Sequence, residues 1–349
     1  MHSARSSSST ASSASNSTTA TANQPSSTTR TTRAAQLFDK NLLIGVVVVL
    51  GLLAVSLTVG EYSILEGERG WEMFGITRVP RTIALVLAGA AMAMSGLVMQ
   101  MLTQNRFVSP TTTGTTEWAG LGLLTVMVLF PGASILARMG GAVVAAFVGA
   151  MVFFLILRRI SLRSSLVVPI VGIMLGAVVS AVSTFFALQT DMLQSLTIWF
   201  AGSFTSVYKG QYEFLWIVLL VVVAVFFLAD RLSIAGLGED VATNVGLNYQ
   251  RVVFVGTGLI AIATGVVTVV VGNLPFLGLI VPNVVSMLRG DDLRSNLPWV
   301  GLAGIAIVTA CDIIARLVIS PFEIPVSVVL GIVGAVVFVV LIVKQVNRG

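Results

Sequence analysis

Long runs of apolar residues, separated by short polar or Gly- and Pro-containing stretches, fill the chain from residue 42 almost to its end. A helix needs about 20 apolar residues to cross the hydrocarbon core of a bilayer, so these runs predict membrane-spanning helices. The short alternating segments typical of a transmembrane β-barrel do not occur in the sequence. The predicted spans are residues 42–60, 82–102, 118–137, 139–157, 166–188, 212–229, 252–272, 274–288, 297–315 and 325–343.

The composition supports this class. The chain has 349 residues, of which 56% are hydrophobic and only 10% charged, unlike a soluble globular protein. We therefore predict an all-α polytopic membrane protein with about ten spans. The run at 274–288 is short and begins Leu274-Pro275, so a broken or tilted element is expected there.

Residues that could carry chemistry are scarce. Cys311 is the only cysteine and lies in an apolar run, so the sequence contains no disulfide framework. The only histidine, His2, lies near the N-terminus. We therefore expect no metal site and no catalytic residues of the usual histidine-containing kind. An intramembrane enzyme would need a constellation that this sequence lacks.

The first 36 residues differ from the rest, because Ser, Thr and Ala dominate them without apolar periodicity. Such a segment cannot bury enough apolar surface to order itself. It is also too long and too polar for the start of a signal peptide. We predict a disordered cytoplasmic tail over residues 1–36 and a membrane domain over residues 40–345.

Lysine and arginine placement predicts the orientation. Ten spans put both termini on one side, and the side with more basic residues faces the cytoplasm. With the N-terminus inside, all but six of the 20 Lys and Arg lie in cytoplasmic segments. The exceptions are Arg69, Arg78, Arg81, Arg138, Lys209 and Arg316. Both termini of the multi-pass protein are therefore expected in the cytoplasm, and its basic charge requires no nucleic-acid partner.

A polar stretch between the sixth and seventh spans predicts a short amphipathic helix over about residues 237–247. Gly238, Glu239 and Asp240 suit its start, and Gly246 suits a left-handed end. A lipid-attached helix would carry Lys or Arg along its polar face. This helix carries acids, so docking of a cytoplasmic protein is favoured.

The chain encodes no energy source, because none of its three lysines follows a glycine as a phosphate-binding loop requires. Either a separate ATPase or an ion gradient must drive any transport. Asp312 and Arg316 are four residues apart on one predicted helix and can form an ion pair. A proton relay through Asp312 is the alternative. An ion-coupled transporter should carry several intramembrane acids, which this sequence lacks.

Several ordered blocks resemble the FecCD-type permeases, the membrane subunits of ABC importers for iron-siderophores, haem and cobalamin. The blocks cover about residues 40–345. They are Arg78-Val-Pro-Arg81, Ala88 to Gln100, Asn105 to Gly114, Trp199-Phe-Ala-Gly-Ser203, Gly238 to Leu247, Gly272 to Pro282, Ala310 to Arg316 and Glu323-Ile-Pro325.

The resemblance implies a type II ABC importer architecture in which spans two to five and seven to ten form inverted repeats. Its implied partners are a second permease subunit, two cytoplasmic ATPase subunits that bind ATP and Mg²⁺, and an extracytoplasmic substrate-binding protein. The second subunit is expected to be an identical copy, with a paralogue as the alternative. The resemblance further implies a location in the bacterial inner membrane and a chain that itself holds no cofactor and performs no covalent chemistry.

The resemblance also assigns residues. Arg78, Arg81 and Arg316 match arginines that dock glutamates of the binding protein. The residues matched to ATPase coupling are Gly238, Glu239, Asp240, Ala242, Gly246 and Leu247. The candidates for the transport pathway are Gln100, Asn105, Pro110, Gly278, Pro282 and Asn283. Interhelical hydrogen bonding is the alternative role for the polar members of that last group.

Two departures from the family pattern bear on the cargo. Asn105-Arg-Phe-Val-Ser-Pro110 replaces the usual Asn-Pro-Leu-Ala, and Asn283 stands where the family usually has histidine. Both variants look like the branch that imports catecholate-type ferric siderophores such as petrobactin. The expected cargo is therefore a ferric siderophore, with haem or cobalamin as the alternative.

Overall fold

The computed structural model describes residues 40–60, 68–159 and 167–346. The predicted tail over residues 1–36 lies outside these ranges. The α-helices are α1 Lys40–Thr58, α2 Glu68–Met73, α3 Val79–Thr103, α4 Thr115–Leu129, α5 Ile135–Leu157, α6 Val167–Gln189, α7 Leu193–Phe200, α8 Trp216–Ala235, α9 Glu239–Asn244, α10 Tyr249–Val270, α11 Leu277–Arg289, α12 Leu293–Leu317 and α13 Val326–Val346. A π-helix spans Phe74–Arg78, and a 3₁₀-helix spans Tyr212–Leu215.

The all-α membrane class is confirmed, whereas the number of ten full-length spans stays a prediction. Within the described residues, 8 helices are long and apolar enough to cross a bilayer, and α4 and α11 are two shorter apolar helices. The predicted third span, 118–137, is wrong at its C-terminal end because α4 stops at Leu129. Pro131 and Gly132 break the helix there, and Ser134 then caps α5 by accepting a hydrogen bond from the Ala137 N–H.

The predicted irregularity in the eighth span is also present. The run does not become helical until Leu277, after Phe276 adopts a left-handed backbone with φ 62°. Pro282 then lies inside α11. Hydropathy did not predict α2, the π-helix or α7, because each is far shorter than the window that detects a span.

Helix α3 forms the centre of the core and packs against α8, α10, α11 and α12. Glycines permit the closest of these contacts. A Cβ on Gly96 would overlap the backbone of Gly278 in α11, and one on Gly89 would lie 3.0 Å from the Gly304 carbonyl oxygen in α12. At Gly331, by contrast, an added Cβ would meet no heavy atom of another described element within 4 Å.

Helix α3 also defines the two ends of the bundle. Arg81 lies in the first turn of α3, and Gln104 directly follows its last residue. The two residues are 23 positions apart in sequence, which corresponds to roughly 35 Å along the helix axis. We call the two regions the Arg81 end and the Gln104 end. The described residues with predicted functions fall largely into these two regions.

Candidate docking and transport sites

The centre of the Arg81 end is a buried carboxylate between two arginines. Asp312 on α12 is fully buried. Its Oδ1 lies 2.7 Å from Nη2 of Arg81, and its Oδ2 lies 2.7 Å from Nη2 of Arg316. The ion pair predicted from the four-residue spacing of Asp312 and Arg316 is therefore confirmed. The contact with Arg81 joins residues 231 apart in sequence, and helical spacing could not predict it.

A second carboxylate extends this network. Arg81 Nη1 donates to both oxygens of Glu323, at 3.0 and 2.9 Å. The Thr205 hydroxyl donates to Glu323 Oε2 at 2.7 Å. Partial burial works against ionisation, but Arg81 and the hydrogen bonds outweigh it and lower the pKa of Glu323. Two of the blocks that carry the resemblance, Arg78–Arg81 and Glu323–Pro325, thus meet in space.

The remaining arginines hold the C-terminal end of α1. Arg316 Nη1 donates to the carbonyl oxygens of Ser56 and Val59, at 3.0 and 2.8 Å. Arg78 Nη1 donates to the carbonyl oxygen of Leu57 at 2.9 Å. Those carbonyls lie in or just after the last turn of α1, where a helix leaves its carbonyl oxygens without an intrahelical partner, so a guanidinium stabilises them.

The structure thus brings Arg78, Arg81 and Arg316 to one end of the molecule. The side chains of Arg81 and Arg316 are only 12% and 5% exposed because carboxylates of the same chain engage them. Their predicted role in docking a partner stays a prediction. The sequence predicted the pairing of Arg316 with Asp312 but missed the internal role of Arg81, although the high cost of burying an arginine is a signal that it needs acidic partners.

At the Gln104 end, the turn after α3 is joined to α11. The Asn283 side-chain amide donates to the carbonyl oxygens of Arg106 and Leu279, at 2.8 and 2.7 Å. The Arg106 guanidinium lies 2.6 Å from Asp291. A hydrogen bond from Ser286, together with the charge of Arg106, lowers the pKa of Asp291.

The predicted pathway residues divide into two groups. Gln100, Pro282 and Asn283 line one cavity of about 90 Å³ at the Gln104 end. The other three do not line it. Asn105 Oδ1 accepts a hydrogen bond from the Phe107 N–H, Pro110 is buried in the turn, and Gly278 packs on Gly96.

The predicted amphipathic helix is present as α9, also at the Gln104 end. Gly238 precedes it with φ 111°, and Gly246 follows it with φ 82°, in the left-handed region that favours glycine. Ala242 is fully buried and anchors α9 to the bundle. Glu239 lies 3.9 Å from Arg158, and both side chains are about half exposed. Asp240 is exposed and Leu247 partly buried.

An apolar ridge runs along one side of the exposed surface of α9 and its flanking residues. Leu237, Val241 and Val245 are 67%, 42% and 63% exposed. The Gln104 side chain lies next to Gly238, since a Cβ added there would be 3.5 Å from its Nε2. The exposed apolar ridge formed by Leu237, Val241 and Val245 therefore begins next to the turn that ends α3.

Known proteins resemble this chain along nearly its whole length. Its sequence is 58% identical over 310 residues to the petrobactin import system permease protein FatD of Bacillus anthracis, covering 89% of this chain and 93% of that protein. It is 43% identical to the petrobactin import system permease protein YclN of Bacillus subtilis, covering 77% and 85% of the two chains. It is 37% identical to the ferric-anguibactin transport system permease protein FatD of Vibrio anguillarum, covering 84% and 95%.

A solved structure has the same fold. It is a metal-chelate type ABC transporter in an inward-facing conformation, with a TM-score of 0.76 and 25% sequence identity. The match covers 88% of this chain and 100% of that chain. The sequence profile of the FecCD transport family matches residues 41–344. These matches agree with the resemblance carried by the eight sequence blocks, and the chain belongs to the FecCD transport family.

Proposed function

We propose that this chain is the permease subunit of an ATP-binding-cassette importer that moves a ferric siderophore into the cytoplasm by alternating access. The observation that carries the proposal is the 58% identity, over 89% of the chain, to a petrobactin import permease. The Asn105–Pro110 turn and Asn283, which suggest catecholate-type chelates, are joined by the hydrogen bond from Asn283 to the Arg106 carbonyl. The two sequence departures that point to the cargo are therefore in direct contact in the structure.

The energy would come from two ATPase subunits, each docked on the α9 of one permease subunit. Support comes from the exposed apolar ridge of Leu237, Val241 and Val245, whose removal from water favours association. Ala242 is buried, and α9 packs against α8 and α10. A displacement of α9 would therefore be transmitted to these two helices. The Gln104 end would then face the cytoplasm, as the basic-residue bias requires.

The Arg81 end would face the substrate-binding protein. Arg78 is held against the Leu57 carbonyl oxygen, which fixes the position of its side chain before any partner arrives. Arginine suits this role because its planar guanidinium can bind a carboxylate with two parallel hydrogen bonds. A second copy of the chain would complete the central pathway.

Cargo is tested by uptake in cells that lack their own siderophore permease. Cells expressing this chain with its ATPase and binding protein should take up a radioiron-labelled catecholate chelate, but neither labelled haem nor cobalamin. Uptake of cobalamin without the iron chelate would overturn the cargo assignment. The same cells with an ATPase inactive in hydrolysis should take up none of the three.

Docking is tested separately with Arg78→Glu, which leaves the Asp312 network intact. The affinity for the binding protein should fall about tenfold or more, because one carboxylate-facing cation becomes an anion. Arg231→Glu, an exposed residue near the other end of the bundle, is the matched control. Equal affinities for the two variants would refute the docking role of Arg78.

A further inference from the structure

A cavity of about 570 Å³ opens at the Arg81 end, and none of the residues predicted for docking, ATPase coupling or the transport pathway lines it. Helices α4, α5, α7 and α10 surround it. Its volume lies in the range of small-molecule binding sites. Leu123 and Met127 of α4 and Val269 of α10 give the cavity an apolar lining, whereas Ser203, Ser206 and Gln211 supply polar groups.

Arg138 is the one ionisable side chain among the residues that line this cavity. Its Nε donates to the Ala133 carbonyl oxygen at 3.1 Å, which fixes the plane of the guanidinium. Within the described residues, its two amino groups form no hydrogen bond or ion pair. A half-buried guanidinium thus faces a cavity whose described lining residues offer it no carboxylate.

The position of Arg138 also argues against a role in holding the fold together. It is the fourth residue of α5, where the helix dipole is positive and a cation is unfavourable. An anion in the cavity would meet both the guanidinium and the positive end of α5. The nearby Glu323 already accepts hydrogen bonds from Arg81 and Thr205, so it does not neutralise Arg138.

We propose that this cavity binds an amphipathic anion. Its oxyanion group would accept hydrogen bonds from Arg138 and the Ser206 hydroxyl, and its apolar body would lie along Leu123, Met127 and Val269. The same chemistry is found in the phosphodiester end of an anionic phospholipid and in an anionic iron chelate. The chelate source rests on the proposed function, whereas the lipid source does not.

The test uses the full-length permease in nanodiscs of neutral phosphatidylcholine. Two soluble probes are titrated by calorimetry: dihexanoyl phosphatidylglycerol and an iron(III) tris-catecholate complex. Arg138→Gln should weaken binding of at least one probe about tenfold or more, the loss expected for charge-assisted hydrogen bonds. Arg231→Gln removes the same charge away from the cavity and should leave that affinity unchanged.

Ile135→Trp supplies an independent variant, because Ile135 lines the cavity and a larger side chain should fill it while Arg138 remains. Loss of the same probe in both variants supports the site, and the probe that is lost identifies the ligand. Binding of both probes that is insensitive to Arg138, or equally sensitive to Arg231, overturns it. Chelate uptake by cells carrying Arg138→Gln would then still report on the importer itself.

Discussion

Asp312→Asn should destabilise the protein far more than loss of the other carboxylate of the Arg81 network, Glu323. The variant keeps the size and shape of the side chain but removes its charge. Arg81 and Arg316 would then face each other across a neutral amide in a buried site. Glu323 would still engage Arg81, but Arg316 would retain only the carbonyl oxygens and hydroxyl of α1.

The magnitude follows from burial. Asp312 is fully buried and has an arginine nitrogen 2.7 Å from each of its two oxygens. Removing one partner of a buried charge pair costs about 3–5 kcal/mol, because the remaining charge is left uncompensated. Glu323→Gln should cost about 1 kcal/mol or less, since the Glu323 side chain is 30% exposed and water screens its pair with Arg81.

The assay is reversible unfolding of the purified permease in mixed micelles, followed by tryptophan fluorescence. The free energies of unfolding of both variants are compared with that of the wild type. A matched double variant, Asp312→Leu with Arg316→Met, replaces the buried pair by apolar side chains and should recover most of the loss. The reasoning fails if Asp312→Asn costs no more than Glu323→Gln, or if the double variant is the least stable.

Three further outcomes are expected. Val241→Asp should reduce co-purification of the ATPase about tenfold, whereas Thr243→Asp, on the same helix but off the apolar ridge, should not; equal retention would refute docking on the ridge. Gly96→Ala should lower the free energy of unfolding by about 1–3 kcal/mol, because its Cβ would overlap the α11 backbone. Gly331→Ala, with open space around the added Cβ, should leave that free energy unchanged, and equal effects would contradict the packing argument. The pKa of Glu323 is lowered, so its contribution to the free energy of unfolding should be complete above the unfolded-state pKa of about 4.3 and disappear as pH falls below it. If the difference in that free energy between the wild type and Glu323→Gln grows on acidification, the sign of this argument is contradicted.

The features of the fold and the site that could be predicted are those whose sequence pattern is local, within one helix or one turn. Bilayer-length apolar runs predicted the spans, and local patterns predicted α9 and the Asp312–Arg316 pair. The end of α4 was missed because apolar residues continue past the Pro131-Gly132 break. The contacts of Arg81 with Asp312 and Glu323 join distant parts of the chain, and no local period encodes them.

The glycines show the same limit. The small-residue spacing of Gly172 and Gly176 predicts a close helix contact, and both glycines lie against the backbone of the turn at residues 112–114. Gly331 also lies inside a helix, but a Cβ added there would have open space around it. Sequence spacing indicates that a close approach is possible, but the neighbouring helix decides whether it occurs.

The shared carboxylate of Asp312 has a consequence for how the sequence can change over evolutionary time. A substitution of Asp312 alone leaves two buried cations, and a substitution of either arginine alone leaves a buried charge with fewer partners. Each single step is costly, whereas joint replacement by apolar residues is tolerated. These positions should therefore co-vary among homologous permeases, with the three charges inherited or lost as a set.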